Sequence, residues 1–369
     1  MLSLRRNYSS TVHFTTRSLL SVSIILFLAS SCASVPRQSG ITTVISRQID
    51  GFVPQWQELC AGLALSSGKI KYPRLEFWAL RVNLADENLE VIVNEADENS
   101  RTEGLPSVTV SGFAAQYGCI AAMNAGPFSP VSDKIGEGRI LTGVFVSNGK
   151  LVSLPNSRYS ALLFYNDGRA AVAPQHENID FAGVRHAVGG FYTILENGVL
   201  VERGSANKTK RHEPRHPRSA AGVSAKGFTL YLLVIDGRRL GSIGATERET
   251  GRLLLALGAE NGILMDGGGS SALALDINNS GTARIINRPV HGGIAGNERA
   301  VATCLGIRPA SGFTCAPRPP VGLHTLRVSV LPPLVGGGAA FTSPASGFYI
   351  RSALAACRPS LGAEQRSGR

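Results

Sequence analysis

Two carboxylates, Asp236 and Asp266, each end an apolar run and precede glycine, a placement suited to acid–base or nucleophilic work at a strand end. Asp266 opens the hexapeptide Asp266-Gly267-Gly268-Gly269-Ser270-Ser271, directly after Gly262-Ile263-Leu264-Met265. Three successive glycines cost backbone entropy and contribute no packing, so they mark a positive φ or a close approach of another group. The alternative is a tight turn between two strands, for which Asp-Gly is ordinary chemistry. Four further groups accompany it. Asn124-Ala125-Gly126-Pro127-Phe128 offers an amide at another strand end, and Arg215-His216-Pro217-Arg218 offers two guanidiniums and an imidazole, suited to phosphate or carboxylate. Asp236-Gly237-Arg238 repeats the strand-then-carboxylate arrangement, and Gly244-Ala245-Thr246 opens a helix whose free amides favour an anion. Singly, each has a plain structural reading: Asn124 and Asp236 as turn residues, Arg215 and Arg218 as solvated charges, His216 as a loop histidine, Thr246 as a helix cap. Their joint presence favours a site.

The elements that must position these groups follow from periodicity. Alternation over Phe77, Ala79, Val82 and Leu84, then over Leu89, Val91 and Val93, predicts two strands joined by the turn Asp86-Glu87-Asn88. Val110 to Tyr117 reads as a short helix stopped by Gly118, followed by the buried-strand run Cys119 to Met123. Asn148-Gly149, Asn166-Asp167-Gly168, Asn197-Gly198 and Lys226-Gly227 each punctuate two short apolar runs and predict hairpins. Thr246 and Glu249 form a capping box ahead of the stripe Leu253, Leu254 and Leu257, with Gly258 as the stop. The chain therefore runs twice through helix, glycine stop, apolar strand, polar residue and glycine, once at Asn124 and once at Asp266. Were the two strands neighbours, both polar ends would meet at one edge of one sheet, a common ligand position in α/β proteins. The expected class is α+β: a mixed, mainly antiparallel sheet with helices packed on it and the site at strand ends.

The 369 residues carry a formal charge of +11, which on its face suggests nucleic acid. Residues 32–308 hold 28 basic and 25 acidic side chains, a balance of +3, so the excess belongs to the termini and no nucleic-acid partner is expected. Arg5, Arg6 and Arg17 precede the apolar run Leu19 to Leu28 and then Ala29-Ser30-Ser31-Cys32, the pattern of an export signal over 1–31. Its end resembles a lipoprotein signal, in which Cys32 would carry the lipid and anchor the chain to a bacterial membrane at the cell envelope. Ordinary cleavage nearby, giving a secreted or periplasmic protein, is the alternative. Residues 32–71 read as a loosely structured lead-in with some secondary structure, 72–308 as the domain, and 309–369, rich in Pro, Gly, Ala and Arg, as a disordered tail. Cys60, Cys119, Cys304 and Cys315 allow three full pairings; Cys119 and Cys304, in apolar runs, also fit buried thiols. No Cys-x-x-Cys pair or phosphate loop is present, so a structural zinc site and nucleotide hydrolysis are not expected.

The ordered set Asn124-x-Gly126-x-Phe128, Gly143-Val-Phe-Val-Ser-Asn-Gly149, Ala187-Val-Gly-Gly190, Arg215-His-Pro-Arg218-Ser-Ala, Asp236-Gly-Arg238, Gly244-Ala-Thr246, Asp266 to Ser271, Asn287-x-Pro289 and Glu298-Arg299 resembles the phosphodiester glycosidase family over about residues 72–308. One departure is Pro127-Phe128, where the family often has two aromatics. The resemblance implies hydrolysis of a sugar-1-phosphodiester between the anomeric carbon and the phosphate oxygen, with a carbohydrate phosphodiester as partner. The transition state of such a reaction is oxocarbenium-like, so a carboxylate near the anomeric carbon is the central requirement. Asp266 is expected as base or nucleophile, Asp236 as second candidate, His216 as proton shuttle or as a group orienting Arg218, and Arg215 and Arg218 toward phosphate. Asn124, Thr246, Ser270, Ser271 and the amides of Gly267, Gly268 and Gly269 would bind sugar hydroxyls or phosphate oxygens. No cofactor is required by this chemistry, although Asp236 and Asp266 together could hold a divalent cation. Two other readings compete. Gly268-x-Ser270-x-Ala272 approximates a serine-hydrolase elbow, but the following Ala272 to Ile277 reads as a strand where that motif needs a helix. A non-catalytic lipoprotein binding an anionic glycan would use the same arginines and glycines.

Overall fold

The computed structural model describes residues 43–176, 178–202, 213–278, 280–313 and 315. The export signal, Cys32 and most of the tail lie outside the described residues.

The strands Leu75–Asn83 and Thr229–Ile235 show why the molecule is layered. Side chains alternate across a strand, and here both sets are apolar: Phe77, Ala79, Tyr231, Leu233 and Ile235 enter one core, while Trp78, Leu80, Val82, Leu230, Leu232 and Val234 enter another. These two strands are the centre of a nine-stranded sheet, flanked by Leu63–Ile70 with Thr43–Ser46 on one side and by Arg218–Val223, Asn261–Leu264, Thr193–Glu196 and Val199–Leu200 on the other. Gln57–Cys60 adds to Leu63–Ile70, and the Thr43–Ser46 pairing is the sheet's parallel one. Helix α1, Val110–Gln116, buries Val110, Phe113 and Ala114 against a five-stranded sheet that contains Ala121–Asn124, Leu273–Leu275 and Cys304–Pro309. Helix α2, Glu247–Leu257, covers the first core with Leu253, Leu254 and Leu257. Each fully buried Leu or Phe of this kind contributes roughly 1.5–3 kcal/mol. A further five-stranded sheet, built from the hairpins around Asn148-Gly149 and Asn166 to Gly168, completes the α+β arrangement.

All four hairpin turns form, with Asn148 and Asn197 at φ 49°. The capping box of α2 is present, and α1 ends before Gly118. Two expectations change, and the lead-in gains definition. The strand pair around Asp86-Glu87-Asn88 turns as predicted, with Leu89 N donating to Asp86 O at 3.1 Å, but Leu75–Asn83 and Leu89–Val93 enter different sheets and do not pair. The lead-in supplies three strands of the large sheet from Thr43 onward, because Leu63, Leu65 and Ile70 bury apolar side chains against its centre. Finally, Ala121–Asn124 and Asn261–Leu264 lie in different sheets, so their polar ends do not share one sheet edge. Cys60 and Cys315 are disulfide-bonded and close a loop of 255 residues, while Cys119 and Cys304 are buried free thiols, the former pushed up to about 12 by burial.

Candidate active site

Asp266 and Asn124 meet across the two sheets. Asn124 Nδ2 donates to the Asp266 carbonyl at 2.6 Å, and Asp266 N donates to Ala125 O at 2.9 Å. The other end of the Asn124 amide accepts from Ser219 Oγ at 2.7 Å and Ala272 N at 3.2 Å. Asn124 is therefore used in pinning three strand ends together, with both acceptor positions of Oδ1 and one N–H of Nδ2 taken. Its effect on chemistry runs through the position of Asp266.

The Asp266 carboxylate accepts from Ser270 Oγ and from Gly267 N, and burial pushes it up to about 6 against the pull of these bonds and of Arg299. The residue as a whole remains partly exposed. Arg299 Nη1 donates to Ser270 Oγ at 3.3 Å, and Arg299 Nε donates to His291 Nδ1 at 3.1 Å. His291 Nε2 contacts Asp133 on a separate loop, so Nδ1 accepts and Nε2 carries the proton. A continuous chain thus runs Asp133, His291, Arg299, Ser270, Asp266. The glycines make room for it. A Cβ on Gly269 would stand 2.6 Å from Arg299 Nη2, and Gly268, at φ +64°, would bring one to 3.0 Å from Arg238 Nη2. Two guanidiniums consequently lie against adjacent glycines beside one carboxylate. Of the loop amides, Gly268 N is spent on Pro217 O at 2.9 Å and Gly267 N on Asp266 itself. Ser270 and Ser271 are both buried, with Ser271 Oγ lacking a partner.

Asp236 differs from Asp266 in kind. It is 1 % exposed, and its oxygens accept from Asn287 Nδ2 and Arg288 N, each at 3.0 Å, and from Arg239 Nη2 at 2.5 Å. Arg239 also reaches Glu76 Oε2 at 2.8 Å, and Lys69 reaches Glu76 Oε1 at 3.0 Å. Burial pushes the Asp236 carboxyl up to about 6, with Arg239 and Asn287 opposing. Because its lone pairs face donors, Asp236 has none directed at a cation shared with Asp266. No cluster of three or more His, Cys, Asp or Glu suited to a metal occurs among the described residues.

The arginine pair of the His216 segment is turned to the scaffold. Arg215 makes a bidentate pair with Glu249, at 2.7 and 2.6 Å, and thereby braces the α2 capping box that Thr246 and Glu249 form. Arg218 Nε donates to Ala245 O at 3.0 Å and Nη2 to Pro214 O at 3.3 Å, with Glu247 3.8 Å from Nη1. His216 pairs with Ala245 through backbone bonds, and its imidazole is lowered by burial and by Arg218 and Arg238, which keeps it neutral at neutral pH. The fold thus brings Asn124, Asp266 and Ser270 together and assigns Arg215 and Thr246 to bracing. Sequence reasoning gave no role to Arg238, Arg239, Asn287, His291 or Arg299. Asp236-Gly-Arg238, Asn287-x-Pro289 and Glu298-Arg299 did contain three of these residues as motif positions. Glu298 itself accepts from Ser111 Oγ at 2.6 Å and so anchors the segment that delivers Arg299.

Fold and site together define an α+β protein with the Asp266 carboxylate among guanidiniums where strand ends from two sheets converge. The chain belongs to the phosphodiester glycosidase family, whose profile matches residues 117–308. It is 44 % identical over 206 residues to the SPbeta prophage-derived uncharacterized protein YomE of Bacillus subtilis, a match covering 54 % of this chain and 29 % of that protein. The chain therefore spans less than a third of the length of that curated relative. Among solved structures, a hypothetical protein from Synechocystis shares the fold at a TM-score of 0.51 and 14 % identity, covering 70 % of this chain and 64 % of that one. The catalytic domain of zebrafish N-acetylglucosamine-1-phosphodiester alpha-N-acetylglucosaminidase, auto-inhibited by its pro-peptide, superposes at 0.49 with 19 % identity, over 72 % of this chain and 86 % of that one.

Proposed function

We propose that the protein hydrolyses a sugar-1-phosphodiester, breaking the bond between the anomeric carbon and the phosphate oxygen. The observation that carries this reading is the Asp266 carboxylate set beside Ser270 and Arg299 in a residue that is partly exposed, inside a chain of the phosphodiester glycosidase family. Asp266 acts as general base: it takes a proton from water as the water oxygen bonds to the anomeric carbon, and the phosphate monoester departs with the bonding electron pair. That leaving group is a weak base, so cationic support from Arg299 and Arg238 replaces a strong general acid. Asp236, sealed by Arg239, Asn287 and Arg288, holds the site together beneath this chemistry. Phosphate recognition falls in this reading to Arg238 and Arg299, which lie against Gly268 and Gly269, while Arg215 is held by Glu249.

A base must be ionised, and Asp266 sits at about 6. The value of kcat/KM is therefore expected to rise about tenfold per pH unit below 6 and to level off above it. A rate that falls as pH rises through 6 would make Asp266 an acid instead. Incubation with defined sugar-1-phosphodiesters tests the activity itself, the expected products being a free reducing sugar and a phosphate monoester. Binding of those diesters without products would favour the non-catalytic glycan-binding reading. A serine hydrolase is opposed by Ser270, whose hydroxyl is buried and donates straight to Asp266, with the strand Leu273–Leu275 following where an elbow needs a helix. Export and a lipid anchor at Cys32 belong to the same proposal and rest on the signal-like N-terminus. No helix among the described residues is long and apolar enough to cross a membrane.

A further inference from the structure

Arg139 is one of the largest fully buried side chains, at 1 % exposure, and no step of the proposed chemistry uses it. A guanidinium is costly to bury unless its donors are met, and here they converge on a single loop. Nη1 donates to Glu137 at 2.8 Å, and Nη2 donates to the carbonyls of Lys134 at 3.0 Å and Ser132 at 3.4 Å. Ser107 fastens the same loop: its Oγ donates to Lys134 O and its N to Glu137 O, each at 2.9 Å. Between Ser132 and Lys134 stands Asp133, whose side chain is 80 % exposed and whose carboxylate meets His291 Nε2. So exposed a pair adds little to stability. What the stapled loop provides is a fixed position for that carboxylate.

His291 passes that position on to the reaction site. With Asp133 accepting from Nε2, the Nδ1 lone pair accepts from Arg299 Nε at 3.1 Å. Arg299 Nη1 donates to Ser270 Oγ at 3.3 Å, so two nitrogens of one planar group are held and the plane of the guanidinium is set. We propose that Asp133 and His291 are positioning residues, which orient Arg299 beside Ser270 and Asp266 from a loop that Arg139 holds in place. The relay rests on the proposed activity only for the task of Arg299. In that reading the departing phosphate gains negative charge as its bond to the anomeric carbon breaks. Arg299 is then needed most in the transition state, and misplacing it lowers kcat more than it raises KM.

Kinetics on one sugar-1-phosphodiester test the assignment. Asp133→Ala is expected to lower kcat about tenfold with KM within about twofold, because a small misplacement of a supporting group is felt in the rate. Its thermal midpoint should stay unchanged, the side chain being exposed. Asp133→Asn keeps an oxygen that accepts from Nε2 and should recover kcat to within about threefold. If Asp133 acts through His291, the double variant Asp133→Ala/His291→Ala should be no slower than His291→Ala alone, to within about twofold. An unchanged kcat in Asp133→Ala, no recovery in Asp133→Asn, or losses that multiply in the double variant overturn the proposal. Nitrogen-15 NMR of the ligand-free protein reads the relay without turnover: the His291 proton is expected on Nε2, and exchange of the Arg299 Nε–H with water should speed at least about tenfold in Asp133→Ala. A proton on Nδ1 overturns the relay. That NMR pattern in a protein that hydrolyses no sugar-1-phosphodiester would uphold the relay and sink the proposed hydrolysis, so the two failures are read separately.

Discussion

Asp266→Asn is expected to lower kcat by about a thousandfold while the thermal midpoint stays the same or rises, because general-base contributions run to about 10²–10⁴. The carboxamide keeps an oxygen for Gly267 N and Ser270 Oγ, the two bonds that orient the side chain. Stability follows from the direction of the titration. Burial raises the Asp266 carboxyl from its ordinary range to about 6, so its contribution to stability is fully present below the unfolded value and is lost as pH rises through 6. At pH 8 the unaltered protein bears a disfavoured buried charge that the Asn variant lacks. Circular dichroism melting at pH 8 beside single-substrate kinetics checks both halves. Activity within a few fold of the unaltered enzyme would remove Asp266 from the mechanism.

Asp236→Ala has the opposite profile: a large loss of stability, about 3–5 kcal/mol, corresponding to roughly 10 °C in the midpoint of a chain this size. The substitution strips Arg239 of one of its two carboxylates and leaves Arg288 N without an acceptor at 3.0 Å. It also frees the loop from Asn287, whose Nδ2 otherwise bridges Asp236 and the Ser271 carbonyl, and so loosens the strand end below Ser270. Thermal melting measures the loss. A variant that melted like the original protein yet lost its rate would move the base from Asp266 to Asp236.

The contrast between these two aspartates marks where sequence reading stops. Both follow an apolar strand and precede glycine, and the residues after that glycine do not by themselves say which carboxylate is sealed. What separates them is Arg239 three residues on and Asn287 about fifty residues on, partners chosen by the tertiary fold. Hairpin turns and the Thr246 capping box were legible because their chemistry lies within four residues, with Asn148 and Asn197 adopting the left-handed backbone their turns require. Sheet membership was not, since Leu75–Asn83 and Leu89–Val93 are separated by one turn and yet pair with strands far away in the chain. The same limit misdirected Arg215: its bidentate match to Glu249 is the geometry that also suits phosphate, and only the fold says which acceptor is present. His291 carried no sequence signal, because a histidine becomes a clamp for Arg299 only once Asp133 is brought to its far nitrogen.

Hydrolysis of a defined sugar-1-phosphodiester in ¹⁸O-labelled water tests the central claim most directly, because it reports which bond breaks. The proposed attack at the anomeric carbon places the heavy oxygen in the released sugar and leaves the phosphate monoester unlabelled. Label in the phosphate would mean cleavage at phosphorus, and would contradict a glycosidase built around Asp266.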